Sequence, residues 1–288
     1  MSTSAATGVT GQMNGFSLQR IWAELTGKCQ LECVHCYAHS GPAGSHGTMT
    51  AADWMSLTDQ AKALGAGIVQ FIGGEPTMHP QFAAILRHAL ESGIEAEVYT
   101  NLVHVTDEVW DLLTMPGASL AFSYYSAHSA QHNAVTLRNS HAATRRNAER
   151  AVALGIPIRA GVIDVGAGQV ANAREDLAAL GITRIGVDRI RAIGRGGTDD
   201  ISELCGRCGK GVAAIGPDGD VWPCVFSRWL RIGNVLTHAL AEIIASKPMA
   251  DAIASIPQGR RGACDPDLCD PDIQCSPGSP PSSCRPRT

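Results

Sequence analysis

Nowhere does the chain contain a run of about 18 consecutive apolar residues, which excludes a membrane-spanning helix. Its start, Met1 to Gly15, lacks both a basic opening and an apolar stretch, so it does not read as a secretory signal. There is little net charge of either sign. The count is 23 − 27 = −4, which gives no electrostatic reason to expect a nucleic-acid or anionic-membrane partner. Cysteine is missing from the whole middle, with none between Cys36 and Cys205. What is present is 288 residues, 44% hydrophobic, enough to bury one large domain or one domain plus a smaller one. Ten cysteines without an export signal do not form a disulfide framework, because cytosolic thiols are kept reduced. They crowd instead at Cys29, Cys33 and Cys36 and between Cys205 and Cys284. The expectation is a cytoplasmic, metal-bearing protein.

The cysteine-poor body alternates short apolar runs with helical patterns. Strands are expected at Ile21–Thr26, Ile68–Ile72, Glu95–Thr100, Leu120–Tyr124, Ile158–Val165 and Ile185–Ile190. Helices are expected at Thr50–Leu64, Pro80–Ser92, Asp107–Leu113, Ser140–Leu154 and Gln169–Leu180. Thr50 with Asp53 reads as an N-cap, and Gly65, Gly93, Gly155 and Gly181 read as helix stops. Six such units predict a parallel α/β sheet, a partial (β/α)6 TIM-like barrel with reactive groups at the C-terminal strand ends. After Gly194-Arg195-Gly196-Gly197 the pattern changes to a hairpin signal, Gly216 to Gly219, and one helix near Leu236–Ser246. The expected division is an N-terminal segment 1–20, the barrel 21–197, a hairpin-and-helix unit 198–257 and a Cys/Pro-rich tail 258–288. A tail so poor in apolar residues cannot build its own core.

Thr26-Gly-Lys-Cys-Gln-Leu-Glu-Cys-Val-His-Cys-Tyr37 follows the first strand, at the reactive mouth. Its C-x3-C-x2-C spacing delivers three thiolates from one loop. Structural zinc sites want four ligands and typically arrive as C-x2-C pairs. Three thiolates suit a 4Fe–4S cube with one iron lacking a protein ligand, and zinc is the plain alternative.

The loop resembles the C-x3-C-x-aromatic-C motif of the radical S-adenosylmethionine (SAM) enzymes, with His35 at the aromatic position. That resemblance implies a cube on Cys29, Cys33 and Cys36. SAM would bind the open iron and break into methionine and a 5′-deoxyadenosyl radical after a flavodoxin or ferredoxin supplies an electron. Strand two ends in Gly73-Gly74-Glu75-Pro76, similar to the family's G-G-E-P motif for the SAM amine. Glycines let backbone approach a ligand, and Glu75 can accept from an ammonium. By the same resemblance Thr100 and Asn101 would contact the ribose, and Ser123 with Arg138 the SAM carboxylate. Ile163, within Gly161-Val-Ile-Asp-Val-Gly166, would face the adenine. Helix capping is the simpler reading of Thr100 and Asn101, and a solvated face of Arg138.

Cys208, Gly219 and Cys224 resemble the opening of the SPASM and twitch extensions, which carry one or two auxiliary 4Fe–4S clusters. Cys205, Cys208, Cys224, Cys264, Cys269, Cys275 and Cys284 are the candidate ligands, seven where two fully cysteine-ligated cubes need eight. The distal spacings keep only the x5 step of the full pattern. Cys205-x2-Cys208 also reads as half a zinc knuckle, and one free thiol could donate a hydrogen atom. Relatives of this type mostly modify ribosomally made peptides, so an oxidoreductase acting in peptide maturation leads. The short stretch Met1–Arg20 leaves no room for the leader-binding domain common in such enzymes. That raises the alternatives of a dehydrogenase or epimerase of an aminocyclitol or sugar, and of a non-catalytic electron-transfer protein. Tyr124, Tyr125, His128 and His132 are the candidate substrate-pocket residues; a surface loop is the bland reading of the same stretch.

Overall fold

A computed structural model describes residues 18–166 and 168–257. The expected ligands Cys264, Cys269, Cys275 and Cys284 and the tail 258–288 lie outside the described residues.

The helical signals and the strand signals alternate as the sequence predicts. In chain order they are β1 (Arg20–Glu24), α1 (Ala51–Ala63), β2 (Ile68–Ile72), α2 (Phe82–Ser92), β3 (Glu95–Thr100), α3 (Asp107–Leu113) and β4 (Ala118–Tyr124). There follow α4 (Ser129–Thr136), α5 (His141–Ala153), β5 (Ile158–Asp164), α6 (Gln169–Ala179) and β6 (Ile185–Arg189). Thr50 and Asp53 form a reciprocal capping box, Asp53 accepting from Thr50 N at 2.8 Å. The four predicted stop glycines all take left-handed φ, from +69° to +94°. Each helix therefore ends where the chain must turn back into the sheet.

Strands β1 to β6 pair side by side, all parallel. On the free edge of β1 the sheet continues through β7 (Val212–Ile215), parallel to β1, then β8 (Asp220–Trp222) and β9 (Gly233–Asn234), both antiparallel. The order is β6-β5-β4-β3-β2-β1-β7-β8-β9, an unclosed sheet. This is a partial TIM-like barrel, and the hairpin is continuous with it. One face packs Ile21, Val69, Phe71, Val98, Leu120 and Phe122 against Trp54, Phe82, Ile85, Leu86 and Trp110 of the helices. The helix expected near Leu236–Ser246 is instead two, α7 (Leu240–Ile244) and α8 (Lys247–Ser255). Ser246 caps the second at Met249 N, and Pro248 sits in its first turn, where its missing N–H costs nothing. Helix α4 was not predicted, since Ser-Ala-Gln-His-Asn-Ala-Val-Thr has no apolar period.

The concave face holds a polar plug. Arg159 of β5 donates through Nε and Nη2 to the two oxygens of Glu97 on β3, both at 2.8 Å, and Gln70 of β2 donates to the same carboxylate. Both ionic side chains are less than a tenth exposed. Burial raises the Glu97 carboxyl, but the Arg159 hydrogen bonds and charge outweigh it and leave it lowered. Removing one partner strands a buried charge, which costs about 3–5 kcal/mol. Glu97→Gln and Arg159→Met are each expected to destabilise by roughly that amount in urea unfolding, and the Glu97→Leu/Arg159→Met pair by less than either. Single variants within ~0.5 kcal/mol of wild type would show that the plug contributes no stability.

Candidate metal centre

At the C-terminal end of β1 the chain leaves the sheet and becomes an irregular loop, held by main-chain bonds from its neighbours. Thr26 Oγ1 accepts from Lys28 N at 2.9 Å and donates to Ser45 O at 3.1 Å. Cys29 N donates to Gly41 O, and Cys36 N to Cys33 O. From the end of β2, Gly74 N donates to Thr26 O at 2.6 Å and Glu75 N to Lys28 O at 2.9 Å. That approach requires the two glycines. A Cβ on Gly73, whose φ is +144°, would lie 2.6 Å from Thr26 O, and one on Gly74 would overlap Lys28 O. The far side of the loop pairs with the end of α4, through Glu32 N to Thr136 O and Val34 N to Val135 O.

The loop walls an open cavity. Cys29, Cys33 and Cys36 line it together with His35, Gly73, Gly74, Thr100, Asn101, Ser123, Tyr125 and Ile163. Asn101 Nδ2 lies 3.6 Å from Cys29 Sγ, while Asn101 Oδ1 caps Val103 N. Tyr99 OH and Ser123 Oγ, 3.2 Å apart, present hydroxyls from β3 and β4. Tyr99 was missed because it was read only as a sheet residue. Arg189, Arg191 and Arg195 also line the cavity and were not foreseen, since the Gly-rich stretch after β6 read as a change of domain.

Other expected site residues lie elsewhere. Glu75 is fully buried outside the cavity lining, its carboxylate occupied by the chain. Oε1 accepts from Thr77 N, Thr77 Oγ1 and Thr100 Oγ1, and Oε2 from Asn101 N at 2.8 Å. It ties the ends of β2 and β3 together, and Pro76 opens the short turn Pro76–Met78 behind it. Arg138 stands at the surface, paired with Glu32. Tyr124 follows Phe122 on the helix-facing side of β4, as strand alternation requires, and bonds His141 Nε2 at 3.1 Å and Asp176 Oδ2 at 2.5 Å. His132 is buried against the Tyr124 and Tyr125 rings, and His128 is exposed at the start of α4. Of the four expected pocket residues only Tyr125 reaches the cavity.

The donor set fits a cluster. Burial and the Glu75 charge push the Cys29 thiol up to about 12, and burial with neighbouring Cys36 pushes Cys33 up to about 11. Empty, these thiols stay protonated; they become thiolates only against a cation. Among the described residues no three His, Cys, Asp or Glu side chains converge to hold a single metal ion. Thiols spread around one cavity suit a cube, in which each ligates a different iron. His35 is held neutral, its ring lowered to about 4 by burial and then by Arg195. Three further thiols gather where the hairpin begins and ends. Cys208 Sγ is 3.0 Å from Cys224 Sγ, and Cys205 hydrogen-bonds Cys208. The Tyr37 ring, next to Cys36, packs edge-on against Phe226, two residues beyond Cys224.

Residues 23–181 match the family described as the Radical SAM superfamily, and residues 205–275 match SPASM, described as an iron–sulfur cluster-binding domain. A PqqA peptide cyclase of Methylobacterium nodulans is 27% identical over 80% of this chain and 73% of its own. An S-adenosylmethionine-dependent nucleotide dehydratase of Selenomonas ruminantium is 35% identical over 27% of each chain. Matches to this and two other curated relatives span only 25% to 32% of those proteins' lengths. Among solved structures, Streptococcus suis SuiB bound to its precursor peptide SuiA superposes with a TM-score of 0.72 at 16% identity, covering 83% of this chain and 67% of that one.

Gly74→Ala sets a Cβ against Lys28 O and must displace the cysteine loop. After anaerobic reconstitution it is expected to keep the wild-type circular dichroism spectrum and to bind clearly less iron than wild type. Wild-type iron content would show that the close approach is not needed to hold the cluster.

Proposed function

The chain belongs to the radical SAM superfamily, and from that premise we propose that it cleaves S-adenosylmethionine and directs the resulting radical at a ribosomally made peptide. On this loop a 4Fe–4S cluster would supply the one electron that reductive cleavage of SAM requires. Cys29, Cys33 and Cys36 would hold it as thiolates. Gly73 and Gly74 keep side chains out of the space beside the loop, so the main chain of β2 can meet the amino-acid end of SAM. The Tyr99 and Ser123 hydroxyls offer donors and acceptors from the adjoining strands. Leu31, Ile72, Ile163 and Phe226 give the cavity an apolar wall against which SAM and substrate could be held in place for hydrogen abstraction. Cys205, Cys208 and Cys224 would hold an auxiliary cluster, which supplies an electron acceptor and makes a net oxidation accessible. The reaction is then an oxidoreduction, run in the reducing cytosol with a flavodoxin or ferredoxin as donor.

The observation carrying the radical chemistry is the junction of the three-thiol loop with the Gly73-Gly74 end of β2. The peptide assignment is supported by the PqqA peptide cyclase aligned over most of both chains. It is supported too by the opening of the cavity to solvent beside Arg189, whose side chain is 39% exposed. No helix among the described residues is long and apolar enough to cross a membrane.

Anaerobic enzyme given dithionite and SAM is expected to release 5′-deoxyadenosine, and a short peptide encoded beside the gene to lose two hydrogens per turnover by mass spectrometry. Cys33→Ala abolishes both. Loaded enzyme that forms no 5′-deoxyadenosine contradicts the radical reading. 5′-deoxyadenosine formation that rises with a sugar or aminocyclitol and not with the peptide contradicts the substrate.

A further inference from the structure

Between β6 and β7 the chain crosses over the cysteine loop. Gly194, at φ +57°, passes so close that a Cβ there would sit 2.6 Å from Cys36 O and nearer still to Tyr37 O. The next residue grips the loop. Arg195 N donates to Cys36 O at 3.0 Å, its Nε to Cys33 O at 2.9 Å and its Nη2 to Ser40 O at 2.7 Å. One residue thus gathers three carbonyls spread from Cys33 to Ser40, a task for a planar fork that a lysine ammonium cannot reproduce. The other cavity arginines are neutralised: Arg191 by Asp188 at 2.8 Å, and Arg189 by Glu203 at 2.7 Å. Arg195 instead turns its guanidinium onto the carbonyls of the loop, and the nearby Asp199 carboxylate accepts from Gly194 N at 2.8 Å.

We propose that Arg195 is a positioning residue for the SAM-cleaving centre, fixing the Cys33–Ser40 segment and raising the reduction potential of the cluster bound there. The proposal rests on the reading of Cys29, Cys33 and Cys36 as cluster ligands. Electrostatics supplies its sign. Adding an electron to a thiolate-bound cluster increases its negative charge, and a nearby cation stabilises that state. Because Arg195 is exposed, solvent screens part of the effect. The Gly194-Arg195 stretch therefore does two things: it leads the chain toward the SPASM thiols and it clamps the first cluster loop.

The test uses the full chain, reconstituted anaerobically and titrated electrochemically, with electron paramagnetic resonance following the cluster signal that SAM perturbs. Arg195→Gln is expected to load iron like wild type and to show about a tenfold lower reduced-to-oxidised ratio at a fixed potential, equivalent to ~59 mV for a one-electron couple. Arg195→Lys, which keeps the charge and loses the fork, recovers most of that shift. An Arg195→Gln variant that titrates with the wild type overturns the proposal. Should Arg195→Gln lose its iron, Arg195→Lys decides. Titration at the wild-type potential supports the assignment, and a lower potential with charge retained overturns it. Wild-type protein that forms no SAM-perturbed cluster removes the underlying reading and this inference with it.

Discussion

The irregular loop that carries Cys29, Cys33 and Cys36 at one cavity is held in place by hydrogen bonds from three neighbours. The end of β2 reaches in through Gly74 N and Glu75 N. The close of α4 pairs with Glu32 and Val34, and Arg195 reaches over from the far side of β6. None of these contacts belongs to a regular ladder. Each depends on strands of the parallel sheet ending at one level, which places their loops at a common mouth. Glu75 secures that level: one buried carboxylate accepts from residues after β2 and at the end of β3.

Electrostatics then divides the labour within the cavity. Burial, reinforced by Glu75 at Cys29 and by Cys36 at Cys33, favours these two as neutral thiols, so the loop by itself carries no stack of buried negative charges. Iron, a strong local cation, reverses that preference. The barrel below is closed by the Glu97–Arg159 plug, and the apolar walls face the cavity where SAM and substrate could be held. The second group of thiols lies in the apolar cluster that includes Trp22, Ile72, Trp222 and Val225. It is joined to the first site by the Tyr37–Phe226 contact and by the β1–β7 pairing.

Much of this was legible in the chain. Helix-stop glycines located β2, β3, β5 and β6 within a few residues, because each helix must stop before its strand begins. Cys29, Cys33, Cys36, Gly73 and Gly74 could be placed at one mouth from their position after β1 and β2. The glycines' immediate reason was not visible: they make room for Thr26 and Lys28 main chain. Tyr124 was misjudged because a polar-aromatic cluster was read as a patch, when alternation from Phe122 already turns it toward the helices. Arg138 and Arg195 show the limit most clearly. Arg138 lies just past α4 and Arg195 in the Gly-rich stretch after β6, and neither position reveals its partner in sequence. Pairing with Glu32 takes the first to the surface, and only tertiary approach through Gly194 takes the second onto the cysteine loop.

Held by only three thiols, a 4Fe–4S cube on this loop would keep one iron free to bind SAM. Electron–nuclear double resonance on the reduced enzyme, with SAM isotopically labelled at its amine and carboxylate, tests it directly. The account predicts strong couplings from both labels, lost in Cys33→Ala. A reduced cluster that shows no coupling to either label, with SAM in excess, contradicts it.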